Sequence, residues 1–383
     1  MDALQKRTWA EIDLDAAAYN LAAVRRRISP KAKLCCVVKA DGYGHGAVPL
    51  ARVFQQNGAD WFAVSNIYEA LELREGGVTL PILILGYTPP EAAKTLAENH
   101  ISQCVYSTEY ARALSQHAAA AGVTVKIHIK VDTGMSRLGF YFQNIDRDTA
   151  AVQEIAEVCR LPGFFHEGIF THFAVSDAGA AGAMPTMRQF GCFKELVESL
   201  LREDIDFPIR HLANSGAALD YTLSHMDMVR AGIILYGIAP SAEIAHPEPL
   251  KPVMGLKTVI AQVKDIEKDS TVSYGRTYTA EEKMRVATIP VGYADGYSRA
   301  LSDKADVLIH GKRCRIVGRV CMDQCMVDVT HVPEAKMGDV VTLIGADGEE
   351  SVTADELAEK TGTIPYEIVC DVSKRVPRIY VGG

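Results

Sequence analysis

Short apolar runs alternate with helical patterns along the N-terminal part of the chain, up to Pro240. Apolar runs without polar alternation are typical of strands buried on both faces, as in parallel sheets covered by helices. Eight such units within about 200 residues predict an α/β fold, a closed (β/α)8 TIM-like barrel, and a doubly wound open sheet is the alternative. The predicted strands are 34–39, 61–65, 82–86, 102–106, 126–132, 168–172, 209–214 and 228–230.

The pattern changes near Pro240, where a stretch rich in proline begins. After this stretch, alternating strands and turns with one short helix at 353–361 predict a smaller, mainly β domain. We therefore place the barrel at 14–243 and the β domain at 244–383, and we expect a strand at 7–13 to pack on the β domain. The predicted β-domain strands are 256–263, 285–289, 306–309, 313–317, 324–328 and 339–344.

Composition narrows the class of protein. The 383 residues carry a net charge of -8 without a basic patch, which argues against nucleic acid as a partner. No apolar stretch approaches the roughly 18 residues that span a bilayer, and residues 1–7 lack an apolar signal core, so we expect a cytoplasmic protein without a membrane segment. The nine cysteines are scattered without metal-ligand spacing, which is typical of reduced thiols and predicts no structural metal.

Charged and polar side chains recur at the C-terminal ends of five of the predicted strands. In barrel enzymes the active site lies at this end of the strands. One such residue alone would be a satisfied core residue or an ion-pair member, whereas such residues at the same end of five strands are hard to explain by chance. The residues are Lys39, Lys130, Asp132, Arg137, His172, Asn214, Ser215 and Arg230.

Two of these positions predict a cofactor. Lys39 ends an apolar run, and a desolvated lysine loses its proton readily and can form a Schiff base with a carbonyl; a lysine that snorkels above a glycine turn is the alternative. Ser215 and Gly232 follow the last two predicted strands, where barrels often bind phosphate, and a plain helix N-cap is the alternative for Ser215. A Schiff-base lysine and a phosphate site match a phosphorylated aldehyde, for which pyridoxal phosphate is the candidate.

Over nearly its whole length the chain resembles the alanine racemase family of pyridoxal-phosphate enzymes, which combine a barrel with a β domain. The most specific match is VVKADGYGHG at 37–46, which is similar to the cofactor-lysine motif of that family. Further matches are KVDTGMSRLG at 130–139, THF at 171–173, ANS at 213–215, VRAG at 229–232, SYGR at 273–276, GYADG at 292–296, CMDQ at 321–324 and PYE at 365–367.

The resemblance implies a role for each cofactor-site residue. Lys39 carries the cofactor, and Arg230 faces the pyridine nitrogen, where His172 braces it. Arg137 binds the phenolic oxygen and the substrate carboxylate, and a carbamylated Lys130 orients Arg137; a plain ammonium is the alternative for Lys130. The remaining cofactor contacts that the resemblance implies, mostly to the phosphate, are Tyr43, Asn214, Ser215, Gly232, Ile233 and Tyr366.

The resemblance also implies that alanine is racemised by two bases on opposite faces of the substrate. Lys39 serves one face and Tyr274 of the partner subunit serves the other, so the active unit is a homodimer with shared sites. A tyrosine whose ring is simply buried in a strand is the alternative for Tyr274. Met322, Asp323 and Tyr293 are the implied substrate-side residues.

The same resemblance predicts the substrate and the biological role. Tyr293 and Tyr366 would crowd the substrate side chain, which favours alanine, and D-alanine for peptidoglycan is the expected product. A serine or broad-specificity amino-acid racemase is the alternative enzyme. A non-catalytic pyridoxal-phosphate-binding protein with the same barrel is disfavoured, because such proteins lack the β domain.

Overall fold

The structure is a computed structural model that describes residues 7–383 of the chain. Residues 1–6, on which part of the argument against a signal peptide rests, lie outside the described residues. Two compact units are present: one contains residues 17–42 and 47–251, and the other contains the described residues up to Ala16 together with 43–46 and 252–383. Among the described residues, no helix has the length and apolar character to cross a membrane.

The chain begins with strand β1 (Thr8–Asp13), which belongs to the second unit, and the first unit then forms the predicted barrel. Eight parallel strands follow one another around it in chain order, and the strand nearest Pro240 returns to pair with the first. The barrel is nearly closed, because the seventh and eighth strands do not form a ladder. The strands are β2 (Lys33–Val37), β3 (Trp61–Val64), β4 (Ile82–Ile84), β5 (Ile101–Val105), β6 (Val125–Asp132), β8 (Phe164–Phe170), β9 (Ile209–His211) and β10 (Met228–Ala231), with a short β7 (Phe140–Tyr141) beside β6.

Helices cover the outside of this sheet, and the pairing of β10 with β2 confirms the barrel and excludes the open-sheet alternative. Strand β3 is buried along its whole length, as expected for a strand with helices on one face and the barrel interior on the other. The second helix buries Ala47, Leu50, Ala51 and Phe54, at the spacing of one helical face. The helices are α1 (Leu14–Arg27), α2 (Ala47–Gln56), α3 (Ile67–Glu75), α4 (Ala93–Glu98), α5 (Thr108–Ala120), α6 (Ala150–Cys159), α7 (Gly179–Arg202) and α8 (Ser215–Asp220).

The second unit is mainly β, as predicted. Its largest sheet has the order β17-β16-β19-β11-β1-β21, so that β1 lies between an antiparallel and a parallel neighbour. The strands after the barrel are β11 (Met254–Val259), β12 (Gln262–Ile266), β13 (Thr271–Val272), β14 (Tyr278–Thr279), β15 (Met284–Ile289), β16 (Asp306–Ile309), β17 (Lys312–Arg315), β18 (Cys325–Asp328), β19 (Val340–Asp347), β20 (Glu350–Val352) and β21 (Arg378–Val381), with helices α9 (Ala354–Thr361) and α10 (Pro365–Cys370).

One strand predicted for this unit is divided into two strands in the structure. The apolar pattern at 256–263 predicts a single strand, but the chain divides there into β11 and β12, which belong to different sheets. The division falls where the backbone N–H of Ile260 donates to Asp339 O (2.9 Å) and that of Ala261 donates to Thr288 O (2.8 Å). Hydrogen bonds to two different partners on consecutive residues move the chain from one sheet to the next.

Candidate active site

The C-terminal end of the barrel gathers the residues that the sequence places there. The partly exposed His172 lies two residues beyond β8, and burial of its ring holds its pKa well below the ordinary value, with further lowering by the charges of Arg230, Lys130, Arg137 and Lys39. These four cations are therefore close enough to His172 to act on it electrostatically. The ring is neutral at physiological pH, because each of these effects opposes its protonation.

Lys39 does not end a strand as predicted. Strand β2 ends at Val37, and Lys39 is partly exposed at the start of a left-handed turn in which Ala40, Asp41 and Gly42 have φ of 53°, 52° and 61°. Such a turn is unfavourable for residues other than glycine, by about 1–2 kcal/mol each. The prediction failed because tertiary contacts hold this turn: Glu69 Oε1 accepts from the Ala40 N–H (2.8 Å).

Arg230 is the most deeply buried cation of the group, with 3% of its surface exposed. Its Nη1 donates to His211 Nδ1 (2.7 Å), and its Nη2 donates to Thr171 O (2.8 Å) and to His172 Nδ1 (3.0 Å). Burial lowers the pKa of Arg230 to about 10, which still leaves the guanidinium charged at neutral pH. The site thus contains a fixed positive charge that cannot act as a proton donor to a weak base.

Lys130 is also buried, with 5% of its surface exposed, and its ammonium group lies 5.2 Å from the centre of the Phe170 ring. Burial and the charge of Arg230 lower its pKa to about 7. Within the described part of the chain, Asp132 forms no ion pair with Lys130. Instead, Asp132 Oδ1 accepts from the N–H groups of residues 134–136 at 2.9–3.0 Å and so holds the loop that carries the exposed Arg137.

The loops after β9 and β10 meet through Ser215. The plain N-cap alternative for Ser215 is wrong, because Asn214 caps helix α8: its Oδ1 accepts from the Ala217 N–H (3.0 Å). Ser215 is instead the first helical residue, and its Oγ accepts from the Gly232 N–H (2.9 Å). The hydroxyl proton and the first N–H groups of the helical turns that begin at Ser215 and Ile233 are a donor set that suits a phosphate.

In the second unit, Tyr43 and Tyr366 lie together, with ring centres 6.1 Å apart. Burial raises the pKa of Tyr43, so its phenol stays protonated and can donate a hydrogen bond. Gly44 follows at φ 81°, and a Cβ there would lie 2.2 Å from Val369 O. This close approach of two backbone segments explains the glycine, and it brings Tyr43 to the helix that carries Tyr366.

The same unit exposes Tyr274, at 71% of its surface. The buried-strand alternative for this tyrosine is therefore wrong. It lies on a turn in which Ser273 has φ 66°, and Ser273 Oγ donates to Arg319 O (2.6 Å), which anchors the turn. An open cavity of about 540 Å³ is lined by Tyr274 together with Ser273, Cys321, Met322, Asp323, Gln324 and Met326.

Sequence reasoning missed Asp295, which organises the rim of this cavity. Its carboxylate is fully buried and accepts from Arg7 Nη1 (2.8 Å), Arg375 Nε (2.7 Å) and the Gly292 N–H (3.0 Å). Arg375 also donates to Asp323 Oδ1 (2.6 Å). Tyr293, the next residue after Gly292, donates its N–H to Cys321 O (3.1 Å). The structure thus brings Tyr293, Met322 and Asp323 to one rim.

We expect the D295N variant to lower the free energy of unfolding by about 2 kcal/mol, somewhat less than for a fully buried ion pair because both arginines are partly exposed. Burial opposes ionisation of Asp295, but hydrogen bonds from Arg7 and Arg375 lower its pKa below the ordinary value. Its stabilising contribution is therefore complete above pH 3.8, the ordinary value, and is lost as the pH falls below it. Urea unfolding at pH 7 and at pH 3 measures both effects.

The control for this prediction is D323N, which alters an exposed carboxylate that contacts the same Arg375. We expect a much smaller loss of stability for D323N than for D295N at pH 7. Equal losses in the two variants would mean that the buried position of Asp295 is not what makes its ion pairs stabilising.

Known proteins resemble this chain over nearly its whole length. The family model described as "Alanine racemase, N-terminal domain" matches residues 12–240, and the one described as "Alanine racemase, C-terminal domain" matches residues 253–380. The chain is 49% identical over 381 residues to an alanine racemase of Desulfovibrio desulfuricans, covering 100% of both chains. It is 47% identical over 381 residues to an alanine racemase of Clostridium perfringens, covering 99% of this chain and 97% of that one.

Solved structures show the same likeness. An alanine racemase of Clostridium difficile 630 superposes with a TM-score of 0.91 at 41% identity, over 98% of this chain and 96% of that one. The alanine racemase of Bacillus anthracis with bound L-Ala-P superposes with a TM-score of 0.90 at 37% identity, over 98% of this chain and 95% of that one.

Proposed function

The chain belongs to the alanine racemase family, and from this premise we propose that it interconverts L-alanine and D-alanine with pyridoxal phosphate as cofactor. The observation that carries the proposal is the convergence of Lys39, a neutral His172 and a charged Arg230 at the C-terminal end of the barrel. The bound cofactor supplies an electron sink that makes the hydrogen on the amino-acid Cα acidic. The chain's own residues supply the proton transfers and the positioning.

The residues of the barrel fit this cofactor. Ser215, Gly232 and Ile233 would hold the phosphate, with Asn214 fixing the loop. The family resemblance adds the phenol groups of Tyr43 and Tyr366, which belong to the second unit. Lys39 would hold the aldehyde carbon. Arg230 would face the ring nitrogen: within residues 7–383, its Nη1 and Nη2 groups have acceptors, whereas its Nε–H makes no hydrogen bond.

A permanently charged arginine at that position has a chemical consequence. Arg230 would donate a hydrogen bond to the ring nitrogen without giving up its proton. His172 accepts from the same guanidinium and limits its rotation. A guanidinium that keeps its proton would favour return of the substrate proton to Cα, as racemisation requires, over its transfer to other positions.

Two proton-transfer groups on opposite faces of the substrate are needed to invert Cα. The Lys39 amine would remove or return the proton on one face, and the hydroxyl of Tyr274 would do so on the other. Arg137 would bind the substrate carboxylate, and Met322, Asp323 and Tyr293 would line the substrate's entrance. The exposure of Tyr274, at 71%, and of Met322, at 53%, supports a homodimer in which this surface completes the site of a second subunit.

We further infer that Lys130 is carbamylated. With a pKa of about 7, a large share of its amine is unprotonated at neutral pH and can attack CO2, forming an N–C bond as the amine proton leaves to solvent. The resulting carbamate would place a negative charge near Arg137 and Arg230 and so orient Arg137.

Removal of bicarbonate and CO2 is expected to lower activity, and bicarbonate is expected to restore it. The restored fraction should fall as the pH drops below about 7, because the protonated Lys130 amine cannot attack CO2. Native mass spectrometry would show the mass of one bound CO2. The control is K126A, which alters a lysine on the same strand with 45% of its side chain exposed and should leave the response unchanged. Activity and mass independent of bicarbonate would contradict the inference.

The proposed function is tested by chiral chromatography of L-alanine and L-serine after incubation with the purified protein and pyridoxal phosphate, with cofactor-stripped protein as the control. D-alanine that approaches an equal share, with much slower conversion of serine, supports an alanine racemase that would supply D-alanine for peptidoglycan in the cytoplasm. Faster conversion of serine would retain the two-base mechanism and overturn the specificity assigned to Tyr366 and Tyr293. Bound cofactor without any D-product would favour the non-catalytic alternative.

A further inference from the structure

A line of four polar side chains runs through the barrel interior, away from Lys39. Arg230 Nη1 donates to His211 Nδ1 (2.7 Å), and His211 Nε2 lies 2.9 Å from His128 Nδ1. His128 Nε2 faces Glu167 Oε2 at 3.4 Å. Both histidines are fully buried, and Glu167 is buried with 7% of its surface exposed. The mechanism proposed above uses only the arginine.

The carboxylate end of this line lies near the N-terminal ends of the barrel strands. Glu167 also accepts a hydrogen bond from Ser102 Oγ and forms an ion pair with Lys126 Nζ (3.0 Å). Ser102 is the second residue of β5, and Lys126 is the second residue of β6. Arg230 lies at the other end of the line, beside His172. The four side chains therefore connect the two ends of the barrel.

The two ends of this line impose the same direction, since Arg230 can only donate and the carboxylate of Glu167 can only accept. A guanidinium can only donate, so His211 Nδ1 must carry no proton and a neutral His211 must carry its proton on Nε2. That Nε2–H donates to His128 Nδ1, which must in turn be unprotonated. The proton of a neutral His128 is then on Nε2, where only an acceptor can face it, and the carboxylate of Glu167 is that acceptor.

We propose that Glu167 is a positioning residue, which acts with Arg230 to fix the tautomers of His128 and His211 and thereby holds Arg230 in its orientation. The proposal rests on the proposed function only in its last step, the role of Arg230 toward the cofactor. The tautomers themselves are properties of the chain and are measurable whatever reaction the protein catalyses.

The groups around the line support fixed, neutral histidines. Burial lowers the pKa of His128, partly offset by Glu167, and burial together with Arg230 and His128 holds the pKa of His211 well below the ordinary value. The other cations that face the two rings are Lys126 and Lys130, and both oppose protonation. Burial alone would raise the pKa of Glu167, but the nearby His128 ring and a hydrogen bond from Ser102 lower it to about 2, so it remains an acceptor at all working pH values.

Packing contacts also fix the positions of the two rings. The His211 ring stacks on Phe170 with ring centres 4.7 Å apart and 4° between the planes, and the His128 ring contacts Trp61 edge to face at 5.4 Å. Gly168 leaves the space for His128, because a Cβ there would lie 2.4 Å from His128 Nδ1. A residue with a side chain at 168 would break the line at its centre.

Solid-state ¹⁵N NMR of the cofactor-loaded protein, labelled in its histidine rings, tests the proposal. The signals of His128 and His211 are assigned by their loss in H128Q and H211Q. In the wild-type protein we expect both rings to be neutral with the proton on Nε2. A proton on Nδ1 of His211, or a charged ring at neutral pH, would overturn the proposal without any variant.

The E167Q variant tests the role of the carboxylate. A glutamine amide offers N–H donors as well as an oxygen, so we expect His128 to populate both tautomers, whereas His211 keeps its proton on Nε2 because Arg230 still donates to its Nδ1. The matched control is K126Q, which removes the other charge on the same carboxylate and should leave both tautomers as in the wild type. Unchanged tautomers in E167Q would mean that Glu167 only forms an ion pair with Lys126, and the proposal would fail.

Enzyme kinetics test separately whether Glu167 affects catalysis through Arg230. We expect E167Q to lower the kcat of racemisation by about tenfold with little change in KM, as for other residues that orient a contact residue, and to increase formation of the pyridoxamine side product. K126Q should change neither quantity. If the wild-type protein shows the expected tautomers but no racemisation, the proposed function fails and the positioning role of Glu167 stands. Altered tautomers in E167Q with unchanged kcat and product ratio would overturn the link to Arg230.

Discussion

Replacement of Lys39 by alanine is expected to abolish racemisation in both directions. Lys39 has two proposed functions, as the covalent attachment for the cofactor and as the base on one face of the substrate. The variant therefore loses both the covalent bond and a proton-transfer group, and we expect a fall in kcat of about four orders of magnitude or more. Rates of D-alanine formation from L-alanine, and of the reverse reaction, measure this loss.

A second measurement distinguishes covalent attachment of the cofactor from catalysis. Reduction with borohydride should fix the cofactor irreversibly to the wild-type chain, and the label should be absent from K39A after denaturation. The control is K33A, because Lys33 is exposed at the start of β2, the strand that precedes Lys39, and should matter for neither quantity. Retained racemisation in K39A, or equal labelling of both variants, would move the attachment to another lysine.

Replacement of Tyr274 by phenylalanine is expected to stop inversion at Cα while proton exchange on one face of the substrate continues. The variant lacks only a hydroxyl, and removal of one of two bases should lower racemisation by about a thousandfold. Because Lys39 still serves one face, one enantiomer should exchange its α-hydrogen with solvent deuterium without inverting. Exchange measured by NMR in D2O, beside racemisation measured by chiral chromatography, distinguishes these two processes.

The control for Y274F is Y68F, which removes the hydroxyl of a comparably exposed tyrosine of the barrel, at 81% exposure. Exchange of both enantiomers by Y274F at wild-type rates would assign the second base elsewhere. A further experiment mixes K39A and Y274F subunits. With random pairing, half of the dimers are hybrids with one intact site of two, so about one quarter of wild-type activity should return. No recovery would mean that both bases come from one subunit.

Sequence patterns predicted the barrel well because its strands are apolar on both faces and its helices have a clear period. The end of β2 was predicted less well. A run that continues to Lys39 reads as strand, whereas contacts from Glu69, far along the chain, hold a left-handed turn there. Tertiary contacts of this kind leave no local signal. The cap of α8 was ambiguous because both Asn214 and Ser215 are good N-cap residues.

The line from Glu167 to Arg230 was partly visible in the sequence. His128, Lys130 and Asp132 alternate along one predicted strand, so they share one face, and a polar face inside a barrel indicates a buried network. The partners were not visible, because contact between His128 and His211 depends on the register of β6, β8 and β9. Asp295 lies in the matched motif at 292–296, but its role was not visible, since its partners Arg7 and Arg375 lie near opposite ends of the chain.

Strand β1 pairs with β11 on one side and with β21 on the other. A ribosome therefore makes β1 first, then the whole barrel, and only afterwards the two strands between which β1 belongs. The barrel can fold during translation, because its strands pair in the order of synthesis, whereas the β unit must wait for the last strand to leave the exit tunnel. Until β11 emerges β1 has two unpaired edges, and until β21 emerges it has one, so we expect nascent chains to be exposed to aggregation and to bind chaperones during this interval.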